Sequence, residues 1–427
     1  MEFKKVKLGE VIKVQIDNRG RNPEKYINYS KFPVIDNYLI KNEKYPNIKN
    51  VNRYIAEDTK NNFLRGHLEK DDVIITLVGN GIGNATMVPS SKCVIIQNTL
   101  GLRCNELMTN DFLYYTLISN RNKIVKYNRG SSQPSIRKTD LFSYEINVPT
   151  INYQNKITKI LNSLDSKIEI NNKIISNLES QAQAIFKSWF VDFEPFQDGE
   201  FVESELGMIP EGWEVRELKD VSKRINGFSY TSKDIFDESN INMITIKNFD
   251  RNGGLQNDSI KPISKNSRIK KDHYLKTNDI LMACTDLTQK ADIIGGVLLY
   301  FENENFDNEI FSMDLIKLVP FDKDDTFFFY YYLKNPIFKL FAENASSGTT
   351  VLHLSKKAVD NFNIVYPTKK HIDRFNDYVF PIIKKQRNLL TQNTKLAELR
   401  DALLPKLMAG EIDVSNIKIE GEEVKNE

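Results

Sequence analysis

The chain has 427 residues, with 59 Lys and Arg against 57 Asp and Glu and a formal charge of +2, so nucleic-acid binding would have to rest on local basic patches rather than on the field of the whole chain. An apolar fraction of 40% excludes a largely disordered polymer, and the length admits more than one buried core. Three cysteines (Cys93, Cys104, Cys284) without a C-x-x-C pair exclude a disulfide framework and point to a reducing, cytoplasmic compartment. No run approaches the roughly 18 apolar residues of a membrane span, and the N-terminus lacks a signal-peptide core.

Residues 1–149 read as a first globule. It opens on Phe3 to Val11 (FKKVKLGEV), passes Leu68 to Ile74 (LEKDDVI), and then reaches Gly79 to Asn84 (GNGIGN). That glycine-rich stretch is neither G-x-G-x-x-G nor a P-loop and predicts a tight turn where the backbone approaches another group closely, a DNA phosphate being one candidate. The apolar run Phe112 to Leu117 predicts a core helix. A polar loop, Arg129 to Pro134, and a strand ending at Val148-Pro149 close the globule.

Residues 150–196 predict one long helix, from about Asn152 to Phe190, spanning roughly 50–60 Å at 1.5 Å per residue. Its seam, Ile157, Leu161, Leu164, Ile168, Asn171, Ile175, Leu178, Ala182, Ile185 and Trp189, steps by four and three, as a helix does when it keeps one face toward a partner helix.

Residues 197–367 repeat the first globule. Trp213 to Val221 follows the pattern of Phe3 to Val11, Leu275 to Leu281 echoes Leu68 to Ile74, and Phe327 to Leu333 parallels the first aromatic run. Ser346-Ser347 matches Ser131-Ser132, and Tyr366-Pro367 matches Val148-Pro149. Residues 368–413 predict a second helix, Lys370 to Met408, kinked near its start by Pro381. Adding 218 to each seam position gives Phe375, Val379, Ile382, Gln386, Leu389, Asn393, Leu396, Arg400, Leu403 and Leu407, again mainly apolar. Residues 414–427 read as a polar, acidic tail expected to be mobile.

A repeat of half the chain is too long for a solenoid unit. The predicted fold is α+β: two globular α/β domains separated by two long helices that pair antiparallel as a coiled coil, with an approximate two-fold axis. Asn171, Gln386, Asn393 and Arg400 interrupt the seams, and two readings stand for them: register-fixing core residues, or solvent-facing gaps.

Ala184 to Pro195 (AIFKSWFVDFEP) resembles the central conserved region of specificity subunits of type I restriction-modification systems. Leu399 to Ile412 (LRDALLPKLMAGEI) resembles their C-terminal signature, and Ile209 to Val215 (IPEGWEV) is similar to the entry into a second target recognition domain. The resemblance implies that each globule reads one half of a split double-stranded DNA target and that the helices set the gap. It also implies two modification subunits, which methylate adenine and bind the helices, and restriction subunits that translocate and cleave. No cofactor is expected on this chain. S-adenosylmethionine, ATP and Mg would reside on the partners, and no membrane would be involved.

Under that reading, phosphate contacts need cations and polar donors, and base reading needs side chains that reach groove edges. In the first globule the candidates are Arg19, Arg21, Lys25, Tyr26, Lys44 and Arg53, with Arg129, Ser131, Ser132 and Gln133 in the polar loop. In the second they are Lys247, Asn248, Arg251, Thr285 and Lys290, with Ser346, Ser347 and Thr349. For each, an ordinary surface or turn role is the competing reading. Phe186, Trp189, Phe190, Leu404 and Leu407 are expected to face partner subunits. The sequence shows no Asn/Asp-Pro-Pro-aromatic methylation motif, no P-loop and no metal cluster, so no catalytic residue is assigned. A coiled-coil adaptor that never meets DNA remains the alternative from another class, and a self-sufficient nuclease or methyltransferase a third.

Overall fold

A computed structural model describes residues 3–130, 132–236, 239–249, 260–266, 268–302 and 308–417. Residues 418–427, most of the tail expected to be mobile, lie outside the described residues. The chain divides into two compact units, one of residues 1–170 with 393–427 and one of residues 171–392.

In the first unit, β1 (Lys4–Lys7) is followed by β2 (Ile12–Ile16), β3 (Val73–Thr76), β4 (Ala85–Met87) and β5 (Thr99–Cys104), then by α1 (Asn110–Ser119), α2 (Arg121–Ile124), α3 (Lys138–Ser143) and β6 (Glu145–Val148). The helix α4 (Ile151–Phe190) begins here. The strands β2-β5-β3-β4 form an antiparallel sheet. β3 reads Val-Ile-Ile-Thr without alternation because both its faces are covered. Val73 and Ile75 enter one core, with α1 and the start of α4. Ile74 enters the other, beneath the loops that carry Ile35, Leu39 and Val51. β1 pairs with β6, Lys4 opposite Val148, so the strand that feeds α4 is tied to the start of the chain.

The second unit holds the rest of α4, then β7 (Phe201–Ser204), β8 (Gly207–Pro210), β9 (Glu214–Glu217), α5 (Leu218–Val221) and β10 (Ser222–Asn226). Next come β11 (Asn242–Ile244), β12 (Lys261–Pro262), β13 (Ile280–Ala283), β14 (Thr285–Asp286), β15 (Val297–Leu299), β16 (Glu309–Phe311) and β17 (Leu315–Pro320). The unit continues through α6 (Thr326–Leu333), α7 (Pro336–Asn344), β18 (Ser346–Ser347), β19 (Leu352–Leu354), α8 (Lys356–Asp360), β20 (Asn363–Tyr366) and the start of α9 (Lys369–Ala409). Its main sheet, β10-β17-β13-β15, has the same order and the same antiparallel pairing as the first. β13 alternates between two cores as β3 does, with Ile280 and Met282 on one side and Leu281 and Ala283 on the other. β9 pairs with β20, Glu214 opposite Tyr366, repeating β1 with β6. The duplication read from sequence is a duplication of topology.

Both long helices form where the seams require them, and Pro381 lies inside α9 without ending it. In the first unit, Tyr153 Oη donates to Asp413 (2.9 Å), Lys156 Nζ to the carbonyl of Ser415 (2.8 Å) and Arg400 to Asp165 (2.8 Å). Rising numbers on α4 thus meet falling numbers along and just past α9, and the pairing is antiparallel. The second unit shows the same order: Asn171 donates to Gln392 (2.8 Å), Gln386 to Glu179 (3.1 Å), and Trp189 packs on Phe375 (ring centroids 6.3 Å). Asn171, Gln386 and Arg400 therefore bond across the helix pair rather than pointing into open solvent, which decides between the two readings for these three positions.

Candidate nucleic-acid interface

In the first unit, two loops close on each other beyond the end of β3. The turn Gly79–Asn84 runs through three left-handed glycines, with φ of +88°, +86° and +77° at Gly79, Gly81 and Gly83, a path that side-chain-bearing residues rarely take. Gly79 N donates to Pro134 O and Ile136 N to Leu77 O (both 2.8 Å), which pins the segment 128–136 across this turn. That segment is itself a hairpin. Arg129 N donates to Ser135 O (2.9 Å), and Asn128 Oδ1 accepts from Gly130 N (3.0 Å) and Ser135 N (2.8 Å). A Cβ on Gly130 would lie 1.8 Å from Gln133 O, so only glycine fits the bend.

The second unit builds the same device 218 residues on. A Cβ on Gly348 would meet Val351 O at 2.0 Å, and Ser347 pairs with His353, which pairs in turn with Thr285 of β14, just past β13. Gln289 Nε2 donates to the carbonyls of Gly348 (3.3 Å) and Thr349 (3.0 Å). Asp286 holds the neighbouring loop by accepting from Thr288 N (2.8 Å) and Ile293 N (2.7 Å). The equivalence corrects one match made from sequence. With Gly130 on Gly348, Ser132 falls opposite Thr350, whereas Ser346 and Ser347 fall opposite Asn128 and Arg129.

The expected contact residues divide sharply. Lys25, Arg129, Ser132 and Gln133 are exposed in the first unit, as are Lys247, Lys290, Ser347 and Thr349 in the second. Arg19 is half-buried and bonds Asp17 at 2.7–2.8 Å, and this bond holds the Asp17 carboxyl down at about 2. Arg21 lies over the Phe63 ring at 5.6 Å with its Nε buried. Arg53 pairs with Asp36 and covers Tyr26 at 4.3 Å. Ser346 Oγ donates to Ala342 O (2.6 Å). Ser131 and Arg251 lie outside the described residues.

Three candidates face inward. Lys44 Nζ is held by Asp111 and by Asn162 of α4, each at 2.7 Å. Asn248 is fully buried, its Oδ1 accepting from Thr245 N at 2.9 Å to close a short turn. Thr285 is buried at the sheet edge. All three turn their polar groups into the protein.

The residues expected to face partner subunits also need correction. Phe186 and Phe190 belong to the core of the second unit, where Phe190 meets Phe328 (5.0 Å), Phe375 (5.1 Å) and Trp213 (5.7 Å). Leu404 and Leu407 belong to the core of the first. Trp189 is half-buried against Phe375 and Tyr378, with Arg374 over its ring at 5.3 Å. Each half-helix touches both its partner helix and a globule, so apolar positions beside the seam are enclosed as well. The sequence held that signal: Phe186 and Phe190 recur 218 residues later as Leu404 and Met408.

Sequence reading also passed over a run of charge. Between Asp111 and Asp140 there is no acidic residue, while Arg121, Lys123, Lys126, Arg129, Arg137 and Lys138 are basic. This run carries the hairpin, and Arg121 Nε donates to Asn84 Oδ1 (2.6 Å) on the facing turn. Among the described residues there is no group of three or more His, Cys, Asp or Glu able to hold a metal, and no helix long and apolar enough to cross a membrane.

The family model described as "Type I restriction modification DNA specificity domain" matches residues 1–180 and 210–395, once per copy of the fold. The chain belongs to this family of type I restriction-modification specificity subunits. The specificity subunit of the type I restriction enzyme HindI from Haemophilus influenzae is 26% identical, over 81% of this chain and 87% of that protein. The MjaIX specificity subunit from Methanocaldococcus jannaschii is 30% identical, over 67% of this chain and 65% of its own length. The crystal structure of a type I S subunit from M. genitalium shares the fold, with a TM-score of 0.52 at 16% identity and coverage of 95% of this chain and 96% of that one. In this specificity subunit the family signatures Ala184–Pro195 and Ile209–Val215 meet in one aromatic core, where Trp213 Nε1 donates to His371 Nδ1 (2.9 Å).

Proposed function

We propose that this specificity subunit reads a bipartite, asymmetric DNA sequence, one half per unit, and scaffolds two adenine methyltransferase subunits and the restriction subunits without itself making or breaking a bond. The observation that carries the reading is the glycine-pinned hairpin, built twice on the same strand framework with different exposed side chains: Arg129, Ser132 and Gln133 in one unit, Ser347, Thr349 and His353 in the other. Like frameworks with unlike contact groups suit a split target whose halves differ in sequence. The length of α4 and α9 would set the unread gap, about 60 Å of helix against a B-DNA turn of about 34–36 Å. S-adenosylmethionine, ATP and Mg would be held by the partners. The apolar side chains that remain exposed on the helices, Ile151, Ile170 and Leu399 in the first unit and Ile174, Tyr378, Phe380 and Leu390 in the second, are the surface offered to the modification subunits. Methylome sequencing of a host carrying the intact system tests the whole. A split methyladenine motif should be present and should vanish on deletion of this chain, and replacing residues 1–149 with another recognition domain should change one half of the motif only. No motif, or a motif indifferent to the deletion, overturns the reading in favour of an adaptor without DNA contact.

A further inference from the structure

The two units differ in electrostatics far more than in fold. Residues 1–170 and 393–427 contain 31 Lys and Arg against 25 Asp and Glu, a net +6, whereas residues 171–392 contain 28 against 32, a net −4. The near-neutral total conceals this split.

The difference is concentrated beside the hairpins. In the first unit the acid-free run from Arg121 to Lys138 leads into the hairpin, crosses it and leaves it. Lys123, Lys126 and Arg137 are exposed, and among the described residues none of the three has an ion-pair partner. Arg129 keeps 54% of its side chain exposed while it pairs with Asp140. The run clasps a turn, Gly79–Asn84, that carries no charged side chain and presents backbone through its glycines.

The corresponding stretch of the second unit, α6, α7 and its hairpin, differs in kind. Lys334 is withdrawn onto Glu179 (2.7 Å), and Lys339 donates to the carbonyl of Ile294 (2.7 Å) and pairs with Glu343 (3.5 Å). At the places of Arg121 and Lys123, α7 carries Lys339, withdrawn as above, and Phe341, and it exposes Ile337 (62%) and Leu340 (60%). The exposed hairpin groups are hydroxyls and one imidazole, Ser347, Thr349, Thr350 and His353, with Lys290 on the adjoining loop and, past the hairpin, Lys356, which donates to Asn226 Oδ1 (3.1 Å), and the exposed Lys357.

We propose that the units divide the work on DNA unequally. The first is the electrostatic anchor, holding backbone phosphates through Lys123, Lys126, Arg129 and Arg137 on any sequence. The second contributes mainly neutral contacts, which add affinity only when its half-site is correct. This rests on the DNA-reading function proposed above. Phosphate neutralisation releases condensed counterions and gives affinity a salt dependence, whereas neutral groove contacts do not. Almost all of the salt dependence should therefore belong to one unit.

The test uses the full chain assembled with its modification subunits, titrated with a duplex containing the methylated motif and with a scrambled duplex from 50 to 300 mM NaCl. The variant K123Q/K126Q/R137Q should weaken binding to both duplexes by a similar factor and lower the slope of log affinity against log salt by about one per charge removed, roughly three in all. The conservative variant K123R/K126R/R137K should keep the wild-type slope, which separates loss of charge from loss of fold. In the second unit, K290Q/K356Q/K357Q should lower the slope by less than about one. Equal slope losses in the two glutamine variants, or a larger loss from the second unit, overturn the division while leaving the DNA-reading function intact. Absence of binding to either duplex by the wild-type complex overturns the function beneath it as well.

Discussion

The two units fasten the same helix pair with polar clasps in different layers. In the first, Asp165 of α4 accepts from Tyr115 Oη (2.5 Å) and pairs with Arg400 of α9 (2.8 Å). A shift of 218 turns that pair into Ile383 and Ala182, both buried and apolar, in the second. There the clasp sits elsewhere: Glu179 accepts from Lys334 (2.7 Å), Gln386 (3.1 Å) and Tyr331 (3.3 Å). The first unit has Ala397 and Ile168 at the places of Glu179 and Gln386. A duplicated fold thus tolerates relocation of a buried charge as long as its partner moves with it. An α4 laid against a second α4 would leave the buried Asp165 without Arg400 and Glu179 without Gln386, so the clasps also specify which helix pairs with which.

The sharpest break of this comparison is Lys334→Met. It leaves the half-buried Glu179 without its cation, and the second unit should lose on the order of 2 kcal/mol, between the values for exposed and for buried pairs, while local protection in the first is unchanged. Lys334→Met with Glu179→Leu should recover most of the loss, because a buried pair exchanged for apolar groups of similar volume is close to neutral. Urea denaturation followed by hydrogen exchange resolves the units. A loss shared equally between them would show that the clasps are not local.

The same clasp gives a pH signature of defined sign. Burial alone would raise the Glu179 carboxyl, but Lys334, with bonds from Gln386 and Gln183, outweighs it and holds the group below its ordinary 4.5. A depressed carboxylate contributes stability that is complete above the unfolded-state value and lost as pH falls through the folded-state value. The wild-type second unit should weaken on acidification below about pH 4.5. In Lys334→Met burial, the largest single influence, is opposed only by neutral hydrogen bonds such as those from Gln386 and Gln183, and the carboxyl should rise, so that part of the stability should instead fall as pH rises from 4 toward 7. Denaturation midpoints across that range decide it. An unchanged sign in the variant would mean that Lys334 is not what holds the carboxylate ionised.

How much of this was legible beforehand follows from what repeats. Helix limits, the antiparallel seam and the alternation of globule and helix were readable because 3.6-residue periodicity and a constant offset of 218 survive divergence of side chains. The repeated motif Leu68–Ile74 and Leu275–Leu281 marked where β3 and β13 begin, as a repeat and not yet as strands. The hairpin equivalence was missed, since Ser-Ser is a match of letters while Gly130 and Gly348 are a match of backbone geometry. Lys44, Asn248 and Thr285 look like surface polar residues in one dimension and become inward-facing only once Asp111, Thr245 and β19 are placed beside them. Phe186 and Leu404 were taken for outward positions because a two-helix seam was counted without the globule that also packs on it. The acid-free run Arg121–Lys138 required no structure at all, only a count of charge by segment instead of by chain.

The smallest expected effect lies at the hairpins, whose anchors differ. Both are pinned by backbone, Gly79 N to Pro134 O in the first and Leu354 N to Cys284 O (2.9 Å) in the second, and Asn128 adds a clasp within the first loop. The second adds a side chain from the opposing loop, Gln289 reaching the carbonyls of Gly348 and Thr349. Gln289→Ala should therefore loosen Ser347 to His353 by about 1 kcal/mol, the scale of one exposed neutral hydrogen-bond pair, with no change in global stability. Hydrogen exchange should speed up there by roughly five-fold and stay constant at Arg129 to Ser135. If the loop is what reads the second half-site, the same variant should relax sequence preference in that half of the methylated motif and leave the first half untouched. Relaxation of both halves together would mean that the hairpins are coupled, and that recognition is not assembled from two independent parts.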